Sequence, residues 1–402
     1  MKIVKQGRRR RAIAAAATAA AAAAAIGVAV PALAVSAGTG SARVLGAGQT
    51  GNRAQVPWRL VGPGWSMALF SASTAAEGIK PTSGPETLYL VDPAGGRYKM
   101  ISWRARSPQT KWYLQAWSGD LRRAMFVPEG SLNNPYVRQQ VFQLQLRTGK
   151  ISRFTLPLRV SALSYSRPDG LNILTEKGFP GSTNKVTLQR YDLTGKLAAT
   201  LATVQAYGTP AYRPDGAELA ASGPHGLVLI SNGGGVIRQL RVEGGRESCT
   251  AVRWWTDTKI LASCIRRGQY GYNMWIVPAS GAAATVLTPA HKTFSFDDGD
   301  FNAWKLSSGL YVDGYGACAT LVIGKYPAHG PEQMVTVPGA ASSLIVTATR
   351  SQLQVERING CEPGVSLVWF NPATRKMTVA IGVHGHQIGV TSVVPFFVTG
   401  KF

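Results

Sequence analysis

Four histidines, a short run of aspartates and one arginine–tyrosine segment are the side chains in this 402-residue chain whose types and spacing could do chemistry. His225, His291, His384 and His386 could each act as a metal ligand or general base, because imidazole titrates near neutral pH. His384 and His386, two residues apart, would point the same way in a strand and could then chelate a metal. Asp297, Asp298 and Asp300 surround Gly299. Carboxylates with neighbouring backbone carbonyls can hold Ca²⁺, but the spaced ligands and distal Glu of an EF-hand loop are missing. Arg266, Arg267, Tyr270 and Tyr272 combine cations with rings, a set able to stack a sugar and pair with phosphate or carboxylate. Each group is also compatible with an ordinary solvated loop. No Gly-x-Ser-x-Gly nucleophile elbow occurs. Gly233-Gly234-Gly235 follows a strand pattern with no helix after it, so it reads as a hairpin turn and not a phosphate loop. No catalytic set is assigned and no cofactor is expected.

The elements that carry these groups are set by a phrase that occurs twice. Tyr165-Ser166-Arg167-Pro168-Asp169-Gly170 returns as Tyr212-Arg213-Pro214-Asp215-Gly216, with the two aspartates 46 positions apart. Pro presets φ, Asp bonds back to nearby backbone and Gly accepts positive φ, so each phrase is a tight turn between antiparallel strands. Reduced copies lie at Gly62-Pro63-Gly64, Ser118-Gly119-Asp120, Thr256-Asp257-Thr258, Ser307-Ser308-Gly309 and Arg350-Ser351-Gln352. Seven turns at this spacing predict an all-β fold: a single seven-bladed β-propeller of four-stranded antiparallel blades. Third strands are expected around Leu88–Val91, Val141–Leu146, Leu188–Leu193, Met274–Val277 and Leu367–Phe370. Trp58-Arg59-Leu60 is expected as an N-terminal strand closing the ring beside Ile388–Phe397. The connections from second to third strands, and from blade to blade, then share one end of the ring. That end collects the long polar loops, including all the candidate groups above, and is the expected functional face.

The repeated phrase resembles the WD-like repeat of TolB-type periplasmic propellers, whose blades carry an aromatic-Ser-Pro-Asp-Gly turn. The resemblance is specific at Tyr165, Pro168, Asp169 and Gly170 and at Tyr212, Pro214, Asp215 and Gly216, and extends over residues 56 to 398. It implies a scaffold or binding protein more than a particular reaction.

Residues 1–37 read as a signal peptide: cationic Lys2, Lys5 and Arg8 to Arg11, then an alanine-dominated apolar stretch, with cleavage after Ala34 or Ala37. Retention of this stretch as an anchor is the alternative. Residues 38–55 read as a flexible linker and 56–402 as the propeller. An exported chain with four cysteines fits two disulfides. Counting outward from the turn at Thr256-Asp257 places Cys249 opposite Cys264. Cys318 and Cys361 fall in equivalent loops of neighbouring blades. The formal charge is +23, and removing the six cations of the leader leaves +17. Such a basic exported protein is expected to meet a protein partner or an anionic cell-surface glycan, with transient membrane or wall association, as a monomer. No nucleic-acid motif accompanies the charge. The leading reading is thus a secreted, non-enzymatic binding propeller. The alternative is a carbohydrate-active or small-molecule lyase or hydrolase using His and Arg of the long-loop face.

Overall fold

A computed structural model describes residues 44–74, 82–104, 112–129, 137–178, 185–205, 208–242, 248–265, 271–290, 299–315, 321–358 and 364–396. Cys318 and Cys361, with the loop residues that would test their pairing, lie outside the described residues. The ring belongs to the compact unit Ala42–Phe402. It is all-β: seven sheets of four antiparallel strands, one of which gains a fifth strand at its outer edge. The described helical pieces are the 3-10 turn Arg53–Gln55 and a 3-10 residue at Glu129.

The repeated phrase folds as its chemistry requires. In blade four, Gly216 N–H donates to the Arg213 carbonyl (2.9 Å) and Ala217 N–H to Asp215 Oδ1 (2.9 Å). In blade three, Leu171 N–H donates to Asp169 Oδ1 (3.0 Å), and the extra residue widens the turn so that Gly170 N–H reaches Ser166 O. Gly216 has φ +76°, and a Cβ there would lie 2.3 Å from the Arg167 carbonyl oxygen. The turn of blade four therefore rests on the turn of blade three, and only glycine permits that approach.

Each of the seven seams between blades holds its own apolar cluster. Leu114, Phe126 and Leu144 of blade two meet Met67, Leu69 and Leu88 of blade one, for example, and Leu261 and Met274 of blade five meet Leu310 and Val312 of blade six. Side chains on both faces of a blade are thus buried, which explains the long apolar runs of the inner and middle strands. Fourth strands face solvent, as in Val236–Arg241, where only Leu240 is buried. Indole N–H groups pin seams across blades: Trp254 Nε1 donates to Ala211 O (3.0 Å) and Trp369 Nε1 to Asp92 O (3.0 Å).

Ring closure differs from the sequence expectation. Trp58-Arg59-Leu60 is a turn, not a strand. The innermost strand of blade one is the C-terminal Gln387–Pro395, paired antiparallel with Ser66–Thr74 from Ser66↔Pro395 to Thr74↔Gln387. One terminus does complete the ring beside the other, but the C-terminal end supplies the inner strand. Thr50–Asn52, within the stretch expected as linker, pairs parallel with Arg97–Lys99 on the outer edge of the same blade. It covers an edge that would otherwise expose unpaired backbone groups.

Cys249 and Cys264 are joined, directly opposed on the first two strands of blade five. The register reaches this pairing by a different path from a simple count. The turn is centred on Asp257-Thr258, with Thr256 paired to Lys259, and bulges at Val252 and Trp255 absorb the offset. The Cα atoms are 4.1 Å apart, tighter than the usual 4.4–6.8 Å for disulfides.

Candidate functional site

Strand direction sorts the two ends of the ring. Inner strands run toward the short turns, so second-to-third and blade-to-blade connections leave from the opposite, long-loop end. Arg266, Arg267, Tyr270, His291, Asp297 and Asp298 lie outside the described residues. Tyr272 is half-buried, and its carbonyl accepts the Asp300 N–H (2.8 Å) at the start of blade six. Gly299, with φ +89°, lies between them; a Cβ there would sit 2.1 Å from the Tyr272 oxygen. Asp300 is 1% exposed and accepts the Tyr326 hydroxyl (3.2 Å). These bonds tie Asp300 into the start of blade six. His384 and His386 are exposed on either side of a turn at Gly385, with His384 N–H donating to Gln387 Oε1 (3.1 Å). They are not in a strand, so the alternation that would align their rings does not operate. Among the described residues no three His, Cys, Asp or Glu side chains are grouped as metal ligands.

A further position near this end was not singled out from the sequence. In two blades a residue of the second strand bonds to the inner strand of the next. In blade five it is Ser263, whose hydroxyl donates to Asp300 O (2.9 Å); in blade six it is Asp313, whose Oδ1 accepts Ile345 N–H (2.8 Å). The same register, opposite the third-strand residues Met274, Ile323, Leu367 and Leu188, holds Glu356 in blade seven and Glu176 in blade three. Burial raises all three carboxyls, Glu356 to about 7 and Asp313 well above the ordinary range. The consequence for stability has a definite sign. An unfolded Glu titrates near 4.3, so between about pH 4 and 7 the folded chain holds a proton that the unfolded chain has released, and stability falls as pH rises through that window. The contribution is fully present below about pH 4. Glu356→Gln is therefore expected to gain in thermal midpoint over the parent at pH 8 relative to pH 4. Parallel midpoint-versus-pH curves for the two proteins would contradict this.

The ring encloses an axial cavity of about 380 Å³ to which every blade contributes: Trp117, Tyr165 with Arg167, Tyr212, Arg253, Trp304, Val346 and, from the closing strand, Pro395. Trp117, Tyr165, Tyr212 and Pro395 are the last residues of their inner strands, so the cavity sits toward the short-turn end. Arg253 is 8% exposed, lies 3.8 Å over the Trp304 ring and donates to Asn302 Oδ1 and Ala303 O across the seam to blade six. Burial pulls it down to about 9 and Arg167 to about 10, so both remain cations at neutral pH. Burial raises Tyr165 and Tyr212, which keeps the phenols protonated. The cavity can hold an anion or a hydrogen-bond acceptor; its tyrosines are not activated as nucleophiles.

Fold and cavity together define a seven-bladed β-propeller. No family model matches the chain, and no curated protein matches it. Solved structures of similar fold include a prolyl endopeptidase (11% identity, 78% of this chain and 50% of that chain, TM-score 0.51). They also include TolB from Acinetobacter baumannii (12%, 82% and 66%, TM-score 0.42) and a puromycin-hydrolysing peptidase from Mycobacterium tuberculosis (14%, 77% and 53%, TM-score 0.48). This chain spans about half the length of the two peptidases and about two thirds that of TolB. At these identities the likeness is one of fold. The turn phrase that resembles TolB-type repeats sits in the fold that resemblance implies.

Proposed function

We propose that this chain is an exported, non-enzymatic binding propeller whose partner is an anionic glycan of the cell surface. One observation carries the reading: the described carboxylates are largely occupied inside the fold. Asp92, Asp169, Asp192 and Asp215 accept backbone N–H groups in turns, Glu86 accepts the Trp103 indole, and Asp313 braces the next blade. Asp120 pairs with Arg122 and Arg123, while Asp215 and Glu218 pair with Arg213. The Arg213 guanidinium holds Asp215 down to about 2. Exposed Arg138, Arg159, Arg241, Lys150, Lys196 and Arg350 have no carboxylate within 4.0 Å among the described residues. With 43 Lys and Arg against 20 Asp and Glu, the surface field is positive and attracts polyanions. Export is supported by the leader pattern and by the Cys249–Cys264 bridge, which needs an oxidising compartment to persist.

Polyuronate or polyphosphate is expected to bind the purified chain at low ionic strength and release in 1 M salt, where the Debye length falls from about 10 Å at 0.1 M to about 3 Å. Arg266→Ala with Arg267→Ala is expected to weaken binding more than Lys196→Ala with Lys376→Ala, two exposed turn lysines at the other end of the ring. Arg147 and Arg190 are poor controls. The first lies 5.3 Å over the Trp58 ring and the second donates to Asn232 in the next blade, so their removal disturbs packing. Equal losses from both pairs would mean that the Arg266–Arg267 loop adds nothing beyond general charge attraction, and salt-insensitive or absent binding would overturn the proposal.

A further inference from the structure

Most tryptophans of the ring are packed away: Trp65, Trp117, Trp254, Trp275, Trp304 and Trp369 are each 3% exposed or less. Trp103 and Trp112 are not. Both remain half-buried on the walls of a second cavity, also about 380 Å³, in the seam between blades one and two. Trp103 lies on the outer strand of blade one, Arg97–Arg104, and Trp112 opens the inner strand of blade two, Trp112–Trp117. Phe126 and Leu144 form the apolar floor and belong to the cluster of this seam.

The rings are held in fixed poses. Trp103 Nε1 donates to Glu86 Oε2 (2.8 Å), and its ring meets Phe126 edge-on at 5.7 Å. Trp112 and Phe142 are edge-to-face with centroids 3.9 Å apart. Arg153, directly across the strand pair from Phe142, places its guanidinium 4.9 Å over that ring. Exposed Arg104 adds a second cation to the rim. The Glu86 carboxylate that orients Trp103 is 2% exposed and does not line the cavity, and among the described residues no Asp or Glu does. Neither Arg104 nor Arg153 has a carboxylate within 4.0 Å among the described residues.

From this arrangement we infer that the cleft between blades one and two is a subsite for a pyranose ring bearing a carboxylate, a uronic acid unit. The inference rests on the anionic-glycan reading and gives it a place. Indole and phenyl faces match the C–H face of a sugar ring, and guanidinium groups match a carboxylate in a bidentate fork. An aliphatic ligand would use the floor but leave both cations without a partner. A bare polyanion would use the cations and leave the indole faces wet. The volume lies in the lower part of the usual range for ligand pockets, about 300–1,000 Å³, and suits a short oligosaccharide rather than a large cofactor.

Intrinsic tryptophan fluorescence and calorimetry on the purified full chain test it, with tri-galacturonate, the neutral galactose trisaccharide and polyphosphate as probes. Tri-galacturonate is expected to bind with a change in tryptophan emission, and the neutral trisaccharide to bind on the order of ten-fold more weakly. Arg153→Gln, at an exposed position, and Trp112→Phe are each expected to weaken tri-galacturonate on the order of ten-fold, and Trp112→Phe, which removes no charge, to leave polyphosphate unchanged. Polyphosphate binding without tri-galacturonate binding, or tri-galacturonate binding that both variants retain in full, overturns the cleft assignment and leaves the electrostatic reading standing. Binding of none of the three overturns both.

Discussion

Replacing Trp369 with alanine is expected to destabilise the ring by about 3–5 kcal/mol, the range for truncating a buried large aromatic. Trp369 sits on the third strand of blade seven, 1% exposed, in the seam that joins the last blade to the first. It shares its apolar cluster with Leu367, Ile381, Ala68, Val91 and Val390, and its N–H satisfies the Asp92 carbonyl of blade one at 3.0 Å. Truncation would open a cavity and remove that donor together, at the seam beside blade one, whose strands come from both ends of the chain. Trp369→Phe keeps most of the volume and loses the hydrogen bond, so a smaller cost of about 1–2 kcal/mol is expected. Half-exposed Trp255 is the control, and its truncation is expected to cost far less. Denaturant midpoints for the three variants check the order. A cost below about 1 kcal/mol for Trp369→Ala would show that the closing seam does not depend on this residue.

Loss of the Cys249–Cys264 bridge is expected to cost about 3 kcal/mol, the chain-entropy figure for a 15-residue loop. Both residues are 1% exposed or less and lie in the seam between blades four and five. The native bridge is therefore expected to resist mild reductant until the blade opens, then to be lost together with the fold. Cys249→Ala with Cys264→Ala is compared with the parent under oxidising and reducing conditions. The parent's midpoint should fall toward that of the double variant when reductant is present. Equal stability of the parent and the double variant under oxidising conditions would refute the expected contribution. Peptide mapping that found Cys249 joined to Cys318 would refute the register itself.

That register shows how far a local pattern reaches. The Pro-Asp-Gly turns were legible because their chemistry is local: Asp215 caps its own turn and Gly216 takes a positive φ whatever surrounds it. The opposition of Cys249 and Cys264 was also legible, but two bulges that cannot be read from hydrophobic alternation shift the path between turn and bridge. The choice of closing strand was not legible. Trp58-Arg59-Leu60 and Ile388–Phe397 both carry strand-like residues, and pairing of Ser66 with Pro395 brings together residues from opposite ends of the chain. A contact of that separation leaves no periodic trace.

For the candidate sites the division is similar. Composition alone determined that the protein is strongly basic, and the repeat period determined that its strands form seven blades. Which charges remain unneutralised was decided by the tertiary structure, because only folding assigns Asp92, Asp192 and Asp313 to backbone donors and leaves Arg138 and Arg153 without them. The same holds for the tryptophans. In the sequence, Trp103 and Trp112 are not set apart from Trp254 and Trp369, since all four lie in strand segments. Burial depends on how closely two neighbouring blades approach, a property of the seam and not of either strand. Where blades one and two stand apart, two indoles stay half-exposed beside Arg104 and Arg153, and a cleft exists that no run of residues announces.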